Sequence, residues 1–317
     1  MKDFKHFGIK RRVFKDYNYN AVWSNLKTIR FGEGVAKELP PQFSEFYDVS
    51  LGNKCITGKC PFCYVSSDPN GIYYEEICDT WNKWMSLYNE KVVNGITYTT
   101  KPFQIAIGSE GEPTEHPQFC EFLETVYNTN VVPNYTSNGV ILSYWNSPES
   151  IYYQKANKIL DYTRRYVGGV AISFGNKVLR EYAQKAIVGL IAKGDCHINI
   201  HHIISDKESV DAFIKAWKLY GDTIKYHVLL PLMPSGRSTK SIENGVFEYL
   251  ESKIQELNIQ NVAFGAHFVE FLRNSRIKTW LYEPESFSKN VILTKDEVKI
   301  TPSSFNLNPI KVIKLNE

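Results

Sequence analysis

The stretch 51-LGNKCITGKCPFCY-64 places three of the chain's six cysteines, Cys55, Cys60 and Cys63, within nine residues and beside glycines. The other three cysteines stand singly, which is not the pattern of a disulfide framework in a chain of 317 residues. Ligation of a metal ion or a metal cluster explains the grouping better. The sequence therefore predicts that these three thiols are ligands.

Zinc and iron–sulfur chemistry are the two candidates for such a loop. A zinc site normally takes a fourth Cys or His, yet none follows Cys63 at a comparable spacing, and His116 is distant in sequence. Three thiolates suit an iron–sulfur cluster that keeps one iron open for a small molecule. Three incidental cysteines are the remaining alternative.

The overall composition narrows the class of protein. A hydrophobic content of 43% predicts a globular chain with a sizeable core, and a net charge of +3 is too mild to imply a nucleic-acid partner. The locally basic stretch 10-KRRVFK-15 is interpreted as an ordinary solvated surface. With no cleavable signal at the start and no long apolar run, we expect a cytoplasmic protein that does not enter a membrane.

Strand-like and helix-like segments alternate six times along the chain. The predicted strands are 45–52, 102–108, 131–137, 168–174, 196–204 and 225–233, and the predicted helices are 75–92, 117–128, 148–165, 176–194, 207–221 and 241–257. This alternation implies right-handed crossovers and a parallel sheet, curved or closed. Chemistry is then expected at the carboxyl ends of the strands, where the cysteine loop follows the first.

A second informative stretch, 108-GSEGEPTEHP-117, follows the second predicted strand. Gly111 permits a close approach of the backbone, and Glu112 offers a carboxylate to an ammonium group. A plain turn before the helix that Pro117 starts is the alternative interpretation. The position of this stretch, one β/α unit after the cysteine loop, favours the functional interpretation.

Together these motifs resemble the radical S-adenosylmethionine superfamily over about residues 46–258. The resemblance implies that Cys55, Cys60 and Cys63 hold a 4Fe-4S cluster whose open iron is chelated by S-adenosylmethionine, and that reduction releases a 5′-deoxyadenosyl radical. It also implies that Phe62 lies near adenine, and that Glu112 receives the methionine ammonium together with the Gly111 backbone. The cofactors implied are therefore the cluster and S-adenosylmethionine.

Three later polar residues are similar to cofactor contacts of that family. Ser137 and Asn138 close the third strand in 136-TSNG-139, and Ser173 ends the fourth. Simple turns are the alternative for each. Two departures stand against the pattern, since four residues rather than three separate the first two cysteines, and Glu110 stands where the family often has glycine. Glu110 would either repel Glu112 or face solvent.

The resemblance implies an α/β fold, a six-unit (β/α) partial TIM-like barrel over residues 46–258. Residues 1–45 are predicted to form an extension with at most short strands along the barrel edge. Residues 259–317 are predicted to form a small β region, with a strand in 262–272 and a hairpin in 290–301 that turns at 295–297. Because no cysteine follows Cys196, no auxiliary cluster is expected there.

Three further residues are candidate substrate-side or catalytic groups. His201 is expected to point into the barrel and His202 away from it, because they are adjacent on one strand. His267 and Glu270 are polar residues in an apolar setting near the expected barrel opening. A packing role is the alternative for each of them.

The sequence thus predicts a radical S-adenosylmethionine enzyme that abstracts hydrogen from a substrate. A peptide or protein is the first choice of substrate, since neither an RNA-reading module nor a phosphate-binding glycine loop is present. A one-electron donor such as flavodoxin or ferredoxin is the implied partner. The alternatives are modification of a nucleotide or nucleic acid, and a non-catalytic protein that binds a cluster or metal.

Overall fold

The structure is a computed structural model that describes residues 8–24, 27–31, 37–58, 60–175, 177–273, 275–277 and 288–316. The strands are β1 (Ile9–Phe14), β2 (Tyr19–Ser24), β3 (Lys27–Phe31), β4 (Phe46–Ser50), β5 (Glu90–Val93), β6 (Ile96–Thr99), β7 (Gln104–Ile107), β8 (Val132–Ser137), β9 (Gly169–Ser173), β10 (His197–Ile204), β11 (Tyr226–Pro231), β12 (Val262–Phe264), β13 (Ser288–Thr294), β14 (Glu297–Thr301) and β15 (Lys311–Lys314). The helices are α1 (Ile77–Ser86), α2 (Phe119–Asn128), α3 (Tyr153–Tyr166), α4 (Arg180–Gly189), α5 (Lys207–Tyr220), α6 (Val246–Glu256) and α7 (Val269–Leu272).

Ten strands form the larger sheet in the order β12-β11-β10-β9-β8-β7-β4-β13-β14-β15. All neighbours from β12 to β13 pair in parallel, and the last two pairs are antiparallel. Helices α1 to α6 follow β4 and β7 to β11 along the chain, so a helical crossover joins every parallel pair except β4 with β13, which are far apart in the chain. The predicted mixed α/β class is confirmed.

Several element boundaries differ from the prediction. The first predicted helix, 75–92, ends at Ser86, and its last residues belong to β5. The predicted strand 262–272 is β12 for three residues and then turns into a short helix. The predicted hairpin 290–301 is β13 and β14, with Asp296 in the left-handed region at its turn.

The smaller sheet contains five strands in the order β3-β2-β1-β6-β5. The N-terminal extension therefore holds more strand than was predicted. Asn94 and Gly95 both have positive φ, 49° and 76°, as a two-residue hairpin turn requires, and they join β5 to β6. Strand β6 then pairs in parallel with β1, which connects the extension to an insertion after α1.

The smaller sheet packs on the larger one through the side chains of alternate residues. Tyr19 and Trp23 lie in one apolar cluster with Phe103 and Val132, which are at the start of β7 and β8. Lys10 and Arg12 lie on the same side and are buried, so the interpretation of 10–15 as a solvated surface is wrong for these two residues. Lys10 donates to the carbonyl of Asn130, and Arg12 to those of Phe43 and Thr100.

The main core lies between the larger sheet and its helices. Cys120 is buried there, and Cys78 and Cys196 pack against the same cluster as small apolar groups. Among the described residues, no helix is both long enough and apolar enough to cross a lipid bilayer.

Candidate functional site

The cysteine loop leaves the carboxyl end of β4 and is closed by its own backbone. Its two limbs pair through the bridges of Gly52 with Tyr73 and of Lys54 with Asp68. The amide of Cys55 donates to the carbonyl of Asp68 over 3.0 Å. The segment that bears the sulfurs is therefore the tip of a loop that local hydrogen bonds hold in place.

All three cysteines are free thiols, and each is partly exposed. The Cys55 sulfur lies 3.2 Å from the Thr57 hydroxyl, and the Cys60 thiol donates to the Thr57 carbonyl over 3.7 Å. Burial raises the pKa of the Cys55 thiol to about 12, although the Thr57 hydroxyl opposes the shift. A bound iron would reverse this preference, because a metal ion favours the thiolate.

The three thiols of this loop do not form a site for a single metal ion. Within the described ranges, no three His, Cys, Asp or Glu side chains form a group that could hold one metal ion. A cubane cluster takes each thiolate on a different iron, so its ligands need not converge on one point. His116, the distant candidate for a fourth zinc ligand, has both ring nitrogens in hydrogen bonds, one with the Tyr74 carbonyl and one with the Gln118 amide.

Gly111 allows the turn after β7 to lie directly on the cysteine loop. Its φ is +65°, and a Cβ there would lie 2.6 Å from the carbonyl oxygens of Gly52 and Lys54. Its amide donates to the Ser67 hydroxyl over 3.0 Å. The close backbone approach expected of Gly111 is thus made to the loop itself, and its contact with a methionine ammonium stays a prediction.

Glu112 is a buried carboxylate with four donors. The Ser137 hydroxyl and the Asn138 amide donate to it over 2.8 and 2.7 Å, and the hydroxyl and amide of Thr114 donate over 2.6 and 3.2 Å. Burial raises the pKa of this carboxyl group, and the four donors oppose the shift. The carboxylate joins the ends of β7 and β8, and its role toward an ammonium stays a prediction.

Asn138 extends this network to the sulfurs. Its side-chain amide donates to the Thr57 hydroxyl over 3.0 Å and approaches the Cys55 sulfur at 3.9 Å, while its carbonyl oxygen accepts from the Val140 amide. Four predicted site residues therefore belong to one hydrogen-bonded group: Cys55, Glu112, Ser137 and Asn138.

Glu110 does not face solvent, which was one of its two expected orientations. It is 7% exposed, and the side chains of Ser50 and Tyr74 lie beside its carboxyl group. Burial raises the pKa of this carboxyl group. Its Oε2 atom is buried and has no hydrogen-bond partner among the described residues.

Two residues that hold the cysteine loop were not identified from the sequence. Both carboxylate oxygens of Glu115 accept from the Ile56 amide, over 3.2 and 2.9 Å. Arg237 donates from its side chain to the carbonyls of Cys60 and Ser67 over 2.9 and 2.8 Å. The only sequence signal for either role was its position after a strand end.

Comparison with known proteins relates this arrangement to solved structures. No protein-family model matches the chain, and no curated protein matches it. Streptococcus suis SuiB bound to its precursor peptide SuiA superposes with a TM-score of 0.55 and 13% identity, over 83% of this chain and 60% of SuiB. SuiB bound to S-adenosylmethionine superposes with a TM-score of 0.53 and 10% identity, over 82% of this chain and 60% of SuiB. The chain therefore shares the fold of SuiB.

In this fold the remaining predicted residues lie on separate elements. Ser173 ends β9 and is the register partner of His201 on β10. Burial lowers the pKa of His201 to about 4. His202 lies on the other face of β10, where its ring contacts Phe213 of α5. Phe62 is half-buried in the cysteine loop.

His267 follows β12 and reaches the cysteine loop through aromatic contacts. Its ring packs edge-on against Phe305 at 4.9 Å, and Phe305 packs against Tyr64 at 4.7 Å. Tyr64 directly follows Cys63, so the C-terminal segment lies against the end of the loop. Glu270 lies in α7, and its side chain is outside the described part of the structure.

Proposed function

We propose that this protein is a radical S-adenosylmethionine enzyme with a six-unit partial barrel. Cys55, Cys60 and Cys63 would hold a 4Fe-4S cluster, with S-adenosylmethionine beside it. The observation that carries the proposal is the hydrogen-bonded group that connects Cys55 with Glu112, Ser137 and Asn138. It brings the ends of three parallel strands together, where this fold concentrates its chemistry.

When bound and reduced, the cluster would supply the electron that cleaves S-adenosylmethionine to a hydrogen-abstracting 5′-deoxyadenosyl radical. The chain's own residues position and support this site. Asn138 directs an N–H group toward the Cys55 sulfur, and such hydrogen bonds stabilise a ligating thiolate. Arg237 and Glu115 both hold the backbone of the loop. Arg237 donates to a carbonyl group, and Glu115 accepts from an amide.

The cofactor contacts carried over from the family belong to the same proposal. Phe62 would lie near adenine and Ser173 near the ribose. The ammonium of S-adenosylmethionine would lie beside Gly111 and Glu112. His201, His267 and Glu270 stay candidate substrate-side residues, and a flavodoxin or ferredoxin would donate the electron.

The proposed substrate is a peptide or a protein, in the cytoplasm. The complex of SuiB with its precursor peptide SuiA supports this choice at the level of the fold. The nucleic-acid alternative depended on the basic stretch 10–15, and the burial of Lys10 and Arg12 removes two of its cations from solvent.

Iron content tests the proposal. Anaerobic reconstitution should give about four iron and four sulfide per chain, and the triple variant of Cys55, Cys60 and Cys63 to alanine should bind none. The matched control replaces Cys78, Cys120 and Cys196 instead. That control should lose stability, because these residues pack in the core, and keep its iron. Stoichiometric zinc in the purified chain would contradict the proposal.

A further inference from the structure

We propose that the outer face of the smaller sheet binds an acidic segment, with apolar side chains, of the peptide substrate. The inference rests on the proposed function, because it takes the substrate to be a peptide. It assigns recognition to a surface away from the cysteine loop. The outer face comprises the side chains of β1, β2, β3, β5 and β6 that point away from the larger sheet.

Strand register defines this face. Arg11 pairs with Val22 on one side and with Tyr98 on the other. Val22 pairs in turn with Ile29, and Tyr98 with Lys91. These five side chains therefore form one row across the sheet. The intervening residues point to the other side, where Lys10 and Arg12 are buried. The outer face is therefore a separate surface and not an edge of the core.

The outer face exposes an unusual amount of apolar surface. Five large apolar side chains on it are more than two-fifths exposed: Ile9 (44%), Val13 (42%), Ile29 (59%), Phe31 (51%) and Val93 (43%). Single exposed apolar residues are ordinary, but several on one sheet face indicate an interaction site.

The charges on the outer face have one sign. Its cations are Arg11, Lys27 and Lys91. The only acidic residue in the five strands is Glu90, which points to the opposite side and contacts Lys101 and Asn130. A partner that complements this surface carries negative charge and apolar side chains together.

The same features disfavour other occupants. A second copy of the chain would bring cations against cations. The outer face carries only two aromatic rings, Phe31 and Tyr98, and Arg11 and Lys91 already lie over the Tyr98 ring, which leaves little surface on which bases could stack. An electron donor must approach the cluster, whereas this sheet packs at the start of β7 and β8 through Phe103 and Val132.

This location has a consequence for the substrate. Strand β8 has six residues and so spans roughly 20 Å between the smaller sheet and the cysteine loop. The bound segment is therefore not the segment that reacts. At least about six extended residues must separate the two in the peptide.

A displayed library of random 16-residue peptides tests the inference on the full chain without cluster or S-adenosylmethionine. We expect the enriched peptides to combine Asp or Glu with apolar residues. The double variant Arg11→Glu, Lys91→Glu should weaken their binding about tenfold or more. Ile29→Asp should weaken it as well. The matched control, Lys215→Glu with Lys218→Glu on the exposed side of α5, should keep it.

Three results would overturn the inference. The first is no enrichment of acidic peptides, and the second is equal binding of these peptides by the wild type and by the Arg11 and Lys91 double variant. The third is preferential binding of single-stranded RNA or of phosphatidylglycerol vesicles through the same residues. Circular dichroism and urea unfolding check that each variant is folded. A chain that cleaves S-adenosylmethionine but enriches no acidic peptide overturns this inference alone. A chain that enriches them but never cleaves S-adenosylmethionine overturns the proposed function.

Discussion

The hydroxyl of Ser137 donates to the carboxylate of Glu112 over 2.8 Å, and this bond joins the end of β8 to the turn after β7. Both residues are buried, at 1% and 4% exposure, so the bond is shielded from water. The adjacent Asn138 then carries the connection to the Cys55 sulfur. A carboxylate that would serve a cofactor thus also holds the site together.

Glu112→Ala should therefore reduce both stability and cofactor affinity. Removal of the carboxylate leaves buried donors of Thr114 and Ser137 without an acceptor, which should lower the free energy of unfolding by about 2 to 3 kcal/mol. Affinity for S-adenosylmethionine should fall by roughly 1.5 to 3 kcal/mol. Urea unfolding and calorimetry measure the two effects. The exposed Glu149→Ala is the control, and unchanged values for Glu112→Ala would contradict this account.

Glu110→Gln should stabilise the protein at neutral pH. Because burial raises the folded-state pKa of Glu110, the wild-type protein loses stability as pH rises above the ordinary value of 4.5. The amide cannot ionise, so the variant should lack this part of the decline. Urea unfolding between pH 4 and pH 8 measures the difference. Parallel curves for the two proteins would show that Glu110 is not the cause.

The buried pair of His202 and His227 should make the fold sensitive to acid. Their rings hydrogen bond over 3.1 Å, and burial lowers the pKa of His227 to about 4 and that of His202 well below its usual range. The unfolded chain takes up these protons near pH 6.5, so stability is present above that pH and is lost toward pH 4. The loss for His227 alone is about 3 kcal/mol.

His227→Gln should remove its share of this acid sensitivity. Arg180 and His201 also lower the pKa of His202, as His227 does. The variant should therefore retain part of the decrease in stability toward acid pH. Unfolding free energies at pH 7, 6 and 5 measure it. A variant whose stability falls as steeply as that of the wild type would refute the assignment.

Arg237→Ala should loosen the cysteine loop. The side chain donates to the carbonyls of Cys60 and Ser67, and bonds from a charged donor contribute about 1.5 to 3 kcal/mol. The reconstituted variant should lose iron to a chelator faster than the wild type. Arg165→Ala removes an exposed ion pair with Asp161 and should leave the rate unchanged. Equal rates for all three proteins would exclude a role for Arg237.

Local sequence patterns predict the alternating units of the larger sheet, because each helix and strand has its own apolar period. They do not predict the smaller sheet. Strand β6 pairs with β1, more than 80 residues earlier, and no local pattern specifies such a pairing. The Asn94-Gly95 pair is the sequence signal for the hairpin of β5 and β6. It lies just past the end of the predicted helix 75–92, and that prediction is wrong where it covers the start of β5.

The candidate site is predictable where a residue type limits the chemistry. Gly111 does make the close backbone approach that glycine permits. The three clustered cysteines stay a predicted ligand set, because free thiols seldom group in this way without a metal. Residues that act through backbone contacts are not predictable. Arg237 and Glu115 bind carbonyl and amide groups that almost every residue carries, so only the folded chain reveals their partners.

Cleavage of S-adenosylmethionine tests the central claim most directly. The anaerobically reconstituted chain, reduced with dithionite, should form 5′-deoxyadenosine, and the Cys55, Cys60 and Cys63 triple variant should form none. A chain that binds four iron and four sulfide yet produces no 5′-deoxyadenosine would contradict the claim, and would identify a protein that holds a cluster without this chemistry.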